Sequence, residues 1–316
     1  MKVFIIRRLI FVVIAVIAST LIVFALSRFS GGDPRSLMLN VGYASSPEIW
    51  EAWGERLHLD KPLIHQYFIW LWNLVVHQDF GLSMKTGQPA NEMIMHFAPA
   101  SLQLGFCAAL FVLVTGIPLG VLSAVKRGSI WDIIARTFAL FGQALPPFWL
   151  GIMLILLFAV NLDWLPAGTR GHGIDWPERL KFYIMPTITL GWLASATVLR
   201  LVRSSMLEVL DSEFVKLARA KGVGSTAVVW KHAFRNALIP PLTVSVLILA
   251  GFVSGAVVTE AVFSWPGLGF MVYQAVLNID FPVVTAAVLA LTLLIVAALF
   301  VLDILYALID PRIRYT

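Results

Sequence analysis

The chain has 316 residues, 59% hydrophobic and only 13% charged, where ordinary globular domains carry roughly 45–50% and 25%. A soluble protein of that balance could not cover its core with polar surface, so a polytopic membrane protein is expected, with room for about six spans of ~20 residues. The net charge of +5 follows from where the cations fall and does not require nucleic acid, and a single cysteine, Cys107, excludes a disulfide framework or a thiol metal site.

The first apolar run, 9–27, follows a basic lead that includes Lys2, Arg7 and Arg8. Ala25-Leu26-Ser27 offers small residues at cleavage-like spacing, but the run exceeds the ~7–15 residues of a signal-peptide core. A retained anchor over 1–28 is therefore expected. A second region, 29–98, reads as an extracytoplasmic subdomain. It opens with the turn signal Gly31-Gly32-Asp33-Pro34. Asp60-Lys61-Pro62 then starts a helix, with proline pre-set for the first turn. Ile64, Phe68, Leu71 and Val75 make one apolar stripe, and Trp70 and Trp72 suit an interface. This helix either lies on the outer bilayer surface or caps the transport domain; substrate selection is the alternative role. His58, His65, His77, His96 and His172 are scattered without an H-x-x-x-H spacing and read as solvated side chains.

The remainder, 99–316, reads as a core of five further spans near 100–124, 133–160, 185–205, 239–262 and 284–308. Pro146-Pro147 predicts a kink or tilt in the third span of the chain. Gln103, Gln143 and Asn161 are polar groups inside apolar runs. They either line a translocation pathway or hydrogen-bond between helices. Arg136, Arg200 and Arg203 lie near span ends, where a long side chain can reach the interface. After Glu260, Trp265-Pro266-Gly267 predicts a turn with Trp265 at the headgroups, followed by a short helix over 270–278 at the outer mouth.

Fifteen of the 23 lysines and arginines then fall on one side, and most acids on the other. By the positive-inside rule both termini are cytoplasmic. Catalytic signatures are missing: the chain has no G-x-x-x-x-G-K-[ST], no H-E-x-x-H and no G-x-S-x-G. Asp303 in the last span is thin support for a proton- or sodium-coupled carrier, which usually buries a carboxylate near the midplane.

The polar exception is 211–237, where Lys216, Arg219, Lys221, Lys231, His232 and Arg235 crowd between two apolar segments. Asp211-Ser212 can cap a first helix, and Glu213 suits its positive end. Phe214, Leu217 and Ala218 share one face; Lys216 and Arg219 project from the other. Gly222 supplies the stop, with Lys221 at the negative end. Ser225-Thr226 can cap a second helix in which Trp230 and Phe234 pair, and Pro240-Pro241 permits a fresh start. Two capped helices on a glycine hinge suit insertion into a partner's groove; a surface helix holding anionic lipid is the alternative.

This run resembles the cytoplasmic EAA loop of ATP-binding-cassette importer permeases, in the peptide-importer form [YF]-V-x-x-A-R-A-K-G followed by H-x-x-R-N-A-x-x-P. The matches are Phe214-Val215, Ala218-Arg219-Ala220-Lys221-Gly222, His232, Arg235-Asn236-Ala237 and Pro240. Lys216-Leu217-Ala218 stands where the eponymous triplet would be, so the acidic contact is not carried over. Arg7-Arg8, Gly32-Asp33-Pro34, Leu59-Asp60-Lys61-Pro62, Phe80-Gly81-Leu82-Ser83, Ala124-Val125-Lys126-Arg127-Gly128, Arg203-Ser204-Ser205-Met206, 263–269 and Asp310-Pro311-Arg312 extend the likeness along nearly the whole chain. The chain resembles the first permease subunit of the dipeptide, oligopeptide and nickel importer family.

The resemblance implies an all-α membrane protein with six transmembrane helices in the type I importer permease fold. It implies a non-catalytic subunit in the plasma membrane of a prokaryote, paired with a second homologous permease. Two cytoplasmic ATPase subunits would carry the ATP and magnesium, with no cofactor on this chain, and a solute-binding protein would deliver cargo from outside. Dipeptides or oligopeptides are the expected cargo; nickel chelates, glutathione and opines are the alternatives within the family, and a self-contained secondary carrier is the alternative outside it. Phe214, Val215, Leu217, Ala218, Arg219, Ala220, Lys221, Gly222, His232, Arg235 and Asn236 would form the ATPase-coupling surface, with Phe214, Leu217 and Ala218 as its apolar contacts.

Overall fold

The structure, a computed structural model, describes residues 2–29, 51, 54–55, 58–171 and 173–309. The turn at 31–34, His172 and the motif 310–312 lie outside these, as do the side chains of Arg7, Arg8 and Asp303. Every regular element among the described residues is helical, apart from one isolated antiparallel bridge between Leu82 and Pro89. The chain divides into two compact units, 1–99 with 267–316, and 100–266.

In the first unit, α1 (Lys2–Phe29) packs along α12 (Phe281–Ile309), with the Ser19 and Thr292 hydroxyls 3.1 Å apart. Helix α2 (Leu63–Val76) follows Pro62, whose φ of −56° suits the residue that opens a helix. It docks on α1 through Tyr67, whose hydroxyl lies 3.0 Å from that of Thr20 and whose ring meets Phe24 edge-on. Gln66 and Tyr67 are its buried residues, whereas Ile64, Phe68 and Val75 are exposed. The stripe read from the sequence is therefore not the face that docks on α1. The first turns of α3 (Ala90–Val125) join α11 (Leu268–Leu277) and α12 around Ala90, Leu268, Met271, Ala275, Val283 and Ala286. Buried Asp280 accepts hydrogen bonds from Ser83 Oγ (2.6 Å) and the Met84 amide (3.1 Å), fixing the turn ahead of α3.

The second unit is built around α6 (Lys181–Leu210), which packs against α4 (Ile130–Ala144), α5 (Pro147–Leu154, continuing as a π-helical turn Ile155–Asn161), α9 (Ile239–Gly255) and α10 (Val257–Val262). Small residues set these crossings, as expected where close backbone approach replaces a hydrophobic driving force. A Cβ on Gly120 of α3 would lie 2.7 Å from Val202 Cβ, and one on Gly142 of α4 would lie 2.6 Å from Trp192 Cδ1.

Three helical stretches, Ala90–Val125, Glu178–Leu210 and Phe281–Phe300, are long and apolar enough to cross a membrane among the described residues. The predicted third span is a bent pair: α4 and α5 meet at 107°. The bend exceeds the expected kink because Leu145 precedes a proline, which disfavours helical geometry there; it sits extended at φ −90°, ψ 126°. The predicted fifth span divides into two helices at Ala256, which itself keeps right-handed helical geometry (φ −70°, ψ −15°). Helix α3 starts ten residues before the predicted span, because an apolar-run criterion misses the polar first turns of a helix that continues out of lipid.

Trp265 also departs from expectation. It is fully buried, donates its indole N–H to the Ala100 carbonyl at 3.0 Å and meets the Tyr183 ring edge-on. Its partners come from α3 and α6, which the local Trp-Pro-Gly pattern does not reveal. Beside it, Glu260 is buried and accepts from Ser101 Oγ at 2.6 Å.

Candidate functional site

The polar hairpin between α6 and α9 folds as α7 (Glu213–Ala220), a glycine turn and a second helix, α8 (225–237), whose middle widens into a π-helical stretch, Val228–Phe234. Ser212 stands at the N-cap of α7 in extended geometry, but its hydroxyl donates back to the Val209 carbonyl (2.5 Å), tying the helix to the end of α6. Glu213 lies in the first turn and pairs with Lys216 at 2.8 Å, an exposed contact of small energetic weight. Gly222 has φ +78°, which a residue with a Cβ adopts only with strain. Its amide bonds the Arg219 carbonyl and the Val223 amide bonds the Ala218 carbonyl, the two hydrogen bonds of a Schellman stop.

Val215 (0% exposed) and Ala218 form the buried side of α7. They pack with Val228, Ala233 and Ala237 of α8 against Val121 and Ala124 of α3 and Val202 and Met206 of α6. Phe214 (46% exposed) and Leu217 (56%) point outward. The sequence reading grouped Ala218 with these two; the structure gives it to the opposite side, because the hairpin rests on α3 and α6 through Val215. Arg219, Ala220, Lys221, Gly222, Arg235 and Asn236 are exposed, and His232 is half-buried. Asn236 donates to the His232 carbonyl at 2.7 Å, and Trp230 meets Phe234 edge-on at 5.2 Å. The exposed side chains of the hairpin thus include the apolar Phe214, Leu217 and Trp230 and the cations Arg219, Lys221 and Arg235, on a base packed against two long helices.

Beneath it lies a charged cluster that the sequence reading missed. Asp132, 2% exposed, accepts from Ser123 Oγ (2.5 Å), the Gly128 amide (3.0 Å), Arg203 Nε (3.1 Å) and Arg203 Nη2 (3.3 Å). Arg136 Nε approaches the same carboxylate to 3.4 Å. Arg203 is thus paired rather than reaching to the interface. The available signal was an acid four residues before Arg136, next to the basic turn Lys126-Arg127, inside an otherwise apolar stretch.

Of the three polar residues read as pathway candidates, two join neighbouring segments. Gln103 accepts from Arg170 Nη2 (2.7 Å) and the Tyr183 hydroxyl (3.0 Å), and Gln143 accepts from Arg200 Nη1. Asn161 is exposed at the end of α5. None of them lines the open cavity of about 540 Å³ bounded by α5, α6, α9 and α10, which is walled by Pro147, Phe148, Leu190, Leu193 and Phe252 with Thr197 and Thr259 among its lining residues. Among the described residues no group of three His, Cys, Asp or Glu side chains could hold a metal ion.

Comparison with known proteins adds three findings. The profile described as "Binding-protein-dependent transport system inner membrane component" matches residues 116–315, and that of the corresponding N-terminal region matches 1–104. The dipeptide transport system permease protein DppB of Escherichia coli (strain K12) is 38% identical over 337 residues, covering 99% of this chain and 98% of its own. The oligopeptide transport system permease protein AppB of Bacillus subtilis (strain 168) is 35% identical over 319 residues, covering 100% of both. Among solved structures, the inward-facing MetNI methionine ABC transporter aligns with a TM-score of 0.57 at 19% identity, covering 69% of this chain and 96% of that one. That likeness extends the type I importer permease fold to this chain.

Proposed function

Because this chain belongs to the binding-protein-dependent transport system inner membrane component family, we propose that it forms half of the translocation pathway of an ATP-driven importer for dipeptides or oligopeptides. As a permease component it is not itself catalytic. Hydrolysis belongs to separate subunits, two in number in this reading, which hold the ATP and magnesium. A second homologous permease completes the pathway, and a solute-binding protein supplies cargo from outside. The peptide assignment draws on the named relatives and on the form of the hairpin motif. The chain lies in the plasma membrane with six spans and both termini cytoplasmic, as the charge asymmetry supports.

The single observation that carries the coupling role is the two-sided hairpin. Its inner face, Val215, Ala218, Val228 and Ala233, is keyed into the ends of α3 and α6, while Phe214 and Leu217 are left uncovered among Arg219, Lys221 and Arg235. Exposed apolar side chains together with cations on one hairpin fit a groove with apolar floor and acidic edge, which is the chemistry required of the ATPase surface. Closure of the ATPases on ATP would drive the two permease hairpins together and switch the pathway between inward- and outward-facing states. The alternative for the hairpin, a lipid-bound helix, leaves its Schellman-closed, core-keyed geometry without a use. The exposed stripe of α2 suits the outer bilayer surface, with Tyr67 as its tie to α1.

The test is reconstitution of both permeases with both ATPases in liposomes. With binding protein and a radiolabelled dipeptide outside, uptake should require ATP in the compartment facing the hairpin. Uptake by this chain alone, driven by an ion gradient, would replace the importer with a secondary carrier.

A further inference from the structure

The hairpin's core contains residues of α3, α6, α7, α8 and α9 but none of α4. Yet α4 leads to the 107° bend, and the residues just past that bend, Pro147 and Phe148, wall the cavity. A push on the hairpin reaches that wall through α4 only if α4 moves with α6. The seam between them is specific near the bend but less so at the end nearer the hairpin. Near the bend Phe138 stacks on Trp192, whose indole N–H donates to the Phe138 carbonyl at 3.1 Å, and Gln143 accepts from Arg200; toward the hairpin the seam is Ala135 and Ala139 against Ala196 and Leu199. Small, smooth side chains lose little contact when two helices shear past one another, which is how packed helices slide.

Asp132 supplies the direction that this end of the seam lacks. A guanidinium and a carboxylate joined by two hydrogen bonds define a geometry as well as an attraction, and Arg203 gives Asp132 that fork from 71 residues away. Ser123 adds a third strand from α3, bonded to both Asp132 and Arg203. Each partner neighbours a residue of the hairpin core: Ser123 is next to Ala124, and Arg203 is next to Val202. The Gly128 amide closes the turn between α3 and α4 onto the same carboxylate. Buried ionic groups are best attested as setters of register.

We propose that Asp132 is a positioning residue for energy coupling: held by Arg203 and Ser123, it keeps α4 in register with α6, so that displacement of the hairpin is delivered to the Pro146-Pro147 bend and the cavity wall. This rests on the importer reading. Without the lock, α4 would lag, and hydrolysis would proceed with less cargo moved per turnover.

The experiment compares wild type, D132N, D132E and the double variant D132N/R203Q in the full complex, measuring dipeptide uptake and ATP hydrolysis in the same proteoliposomes. The double variant leaves no unpaired buried charge and so separates folding from register. Assembly and basal hydrolysis of the double variant should stay near wild type, while cargo moved per ATP falls about tenfold, within the range for mutations along a coupling network. D132E, which keeps the charge facing Arg203, should recover most of the ratio. A wild-type ratio in the double variant overturns the proposal, as does a deficit confined to the amount of complex assembled. A wild-type complex without ATP-dependent uptake would instead overturn the importer reading, and the lock with it.

Discussion

Replacing Phe214 and Leu217 together by alanine tests the coupling surface where it is most exposed. Fully burying a leucine or phenylalanine side chain is worth about 1.5–3 kcal/mol. The two residues keep 46% and 56% of their surface uncovered, so a partner that covers them gains about 1 kcal/mol from each, or about 2 kcal/mol together. That corresponds to a loss of about 30-fold in affinity for the ATPase. Folding should be nearly untouched, since neither side chain belongs to the hairpin core. The measurement is binding of purified ATPase to the permease pair in nanodiscs, with thermal stability recorded on the same samples. Val215→Ala provides the contrast: it hollows the buried side and should lower the melting temperature more than the exposed pair does. The reasoning fails if the folded double variant binds as tightly as wild type, or if Val215→Ala weakens binding more while costing less stability.

Gly222→Pro should abolish ATPase co-purification while membrane insertion persists, because proline cannot adopt φ +78° and removes the amide that bonds Arg219. Gly222→Ala meets no neighbour and should cost only the left-handed strain, about 1 kcal/mol, read as a small drop in hairpin protection by hydrogen exchange. Gly120→Val forces atoms into Val202 Cβ and the Leu199 carbonyl, both under 3.0 Å from the new Cβ, and should yield protease-sensitive protein in detergent. Trp265→Phe keeps the edge contact with Tyr183 but loses the indole hydrogen bond to the Ala100 carbonyl, which its helix still satisfies, costing about 0.5–1.5 kcal/mol in unfolding measurements.

Much of the site was legible because its signals are local. A glycine stop and a cation-rich stretch between apolar runs each act within a few residues, and the structure places α7 and its Schellman turn where those signals fall; Ser212 makes no side-chain cap bond, however, and Gly224 rather than Ser225 or Thr226 stands at the N-cap of α8. The error over Ala218 is instructive. In α7 nearly every position between the cations is apolar, so periodicity allowed two buried faces, and only packing on Val121 and Met206 chose between them. Gln103 and Gln143 stood out as polar groups in apolar runs, but whether such a group faces a pathway or a neighbour depends on residues far along the chain, here Arg170, Tyr183 and Arg200.

The amino-acid sequence by itself determined that this is a helical membrane protein of a binding-protein-dependent transport family, carrying one polar hairpin among apolar helices. Composition and short-range pattern suffice for that, because a bilayer demands long apolar helices whatever their arrangement. Tertiary structure alone decided which side of the hairpin stays free, that the third apolar segment folds back at 107°, that Trp265 is interior, and that Asp132 meets Arg203. Lipid is as apolar as a protein core, so a hydrophobic face does not say which of the two it will meet; that is settled only when distant segments come together.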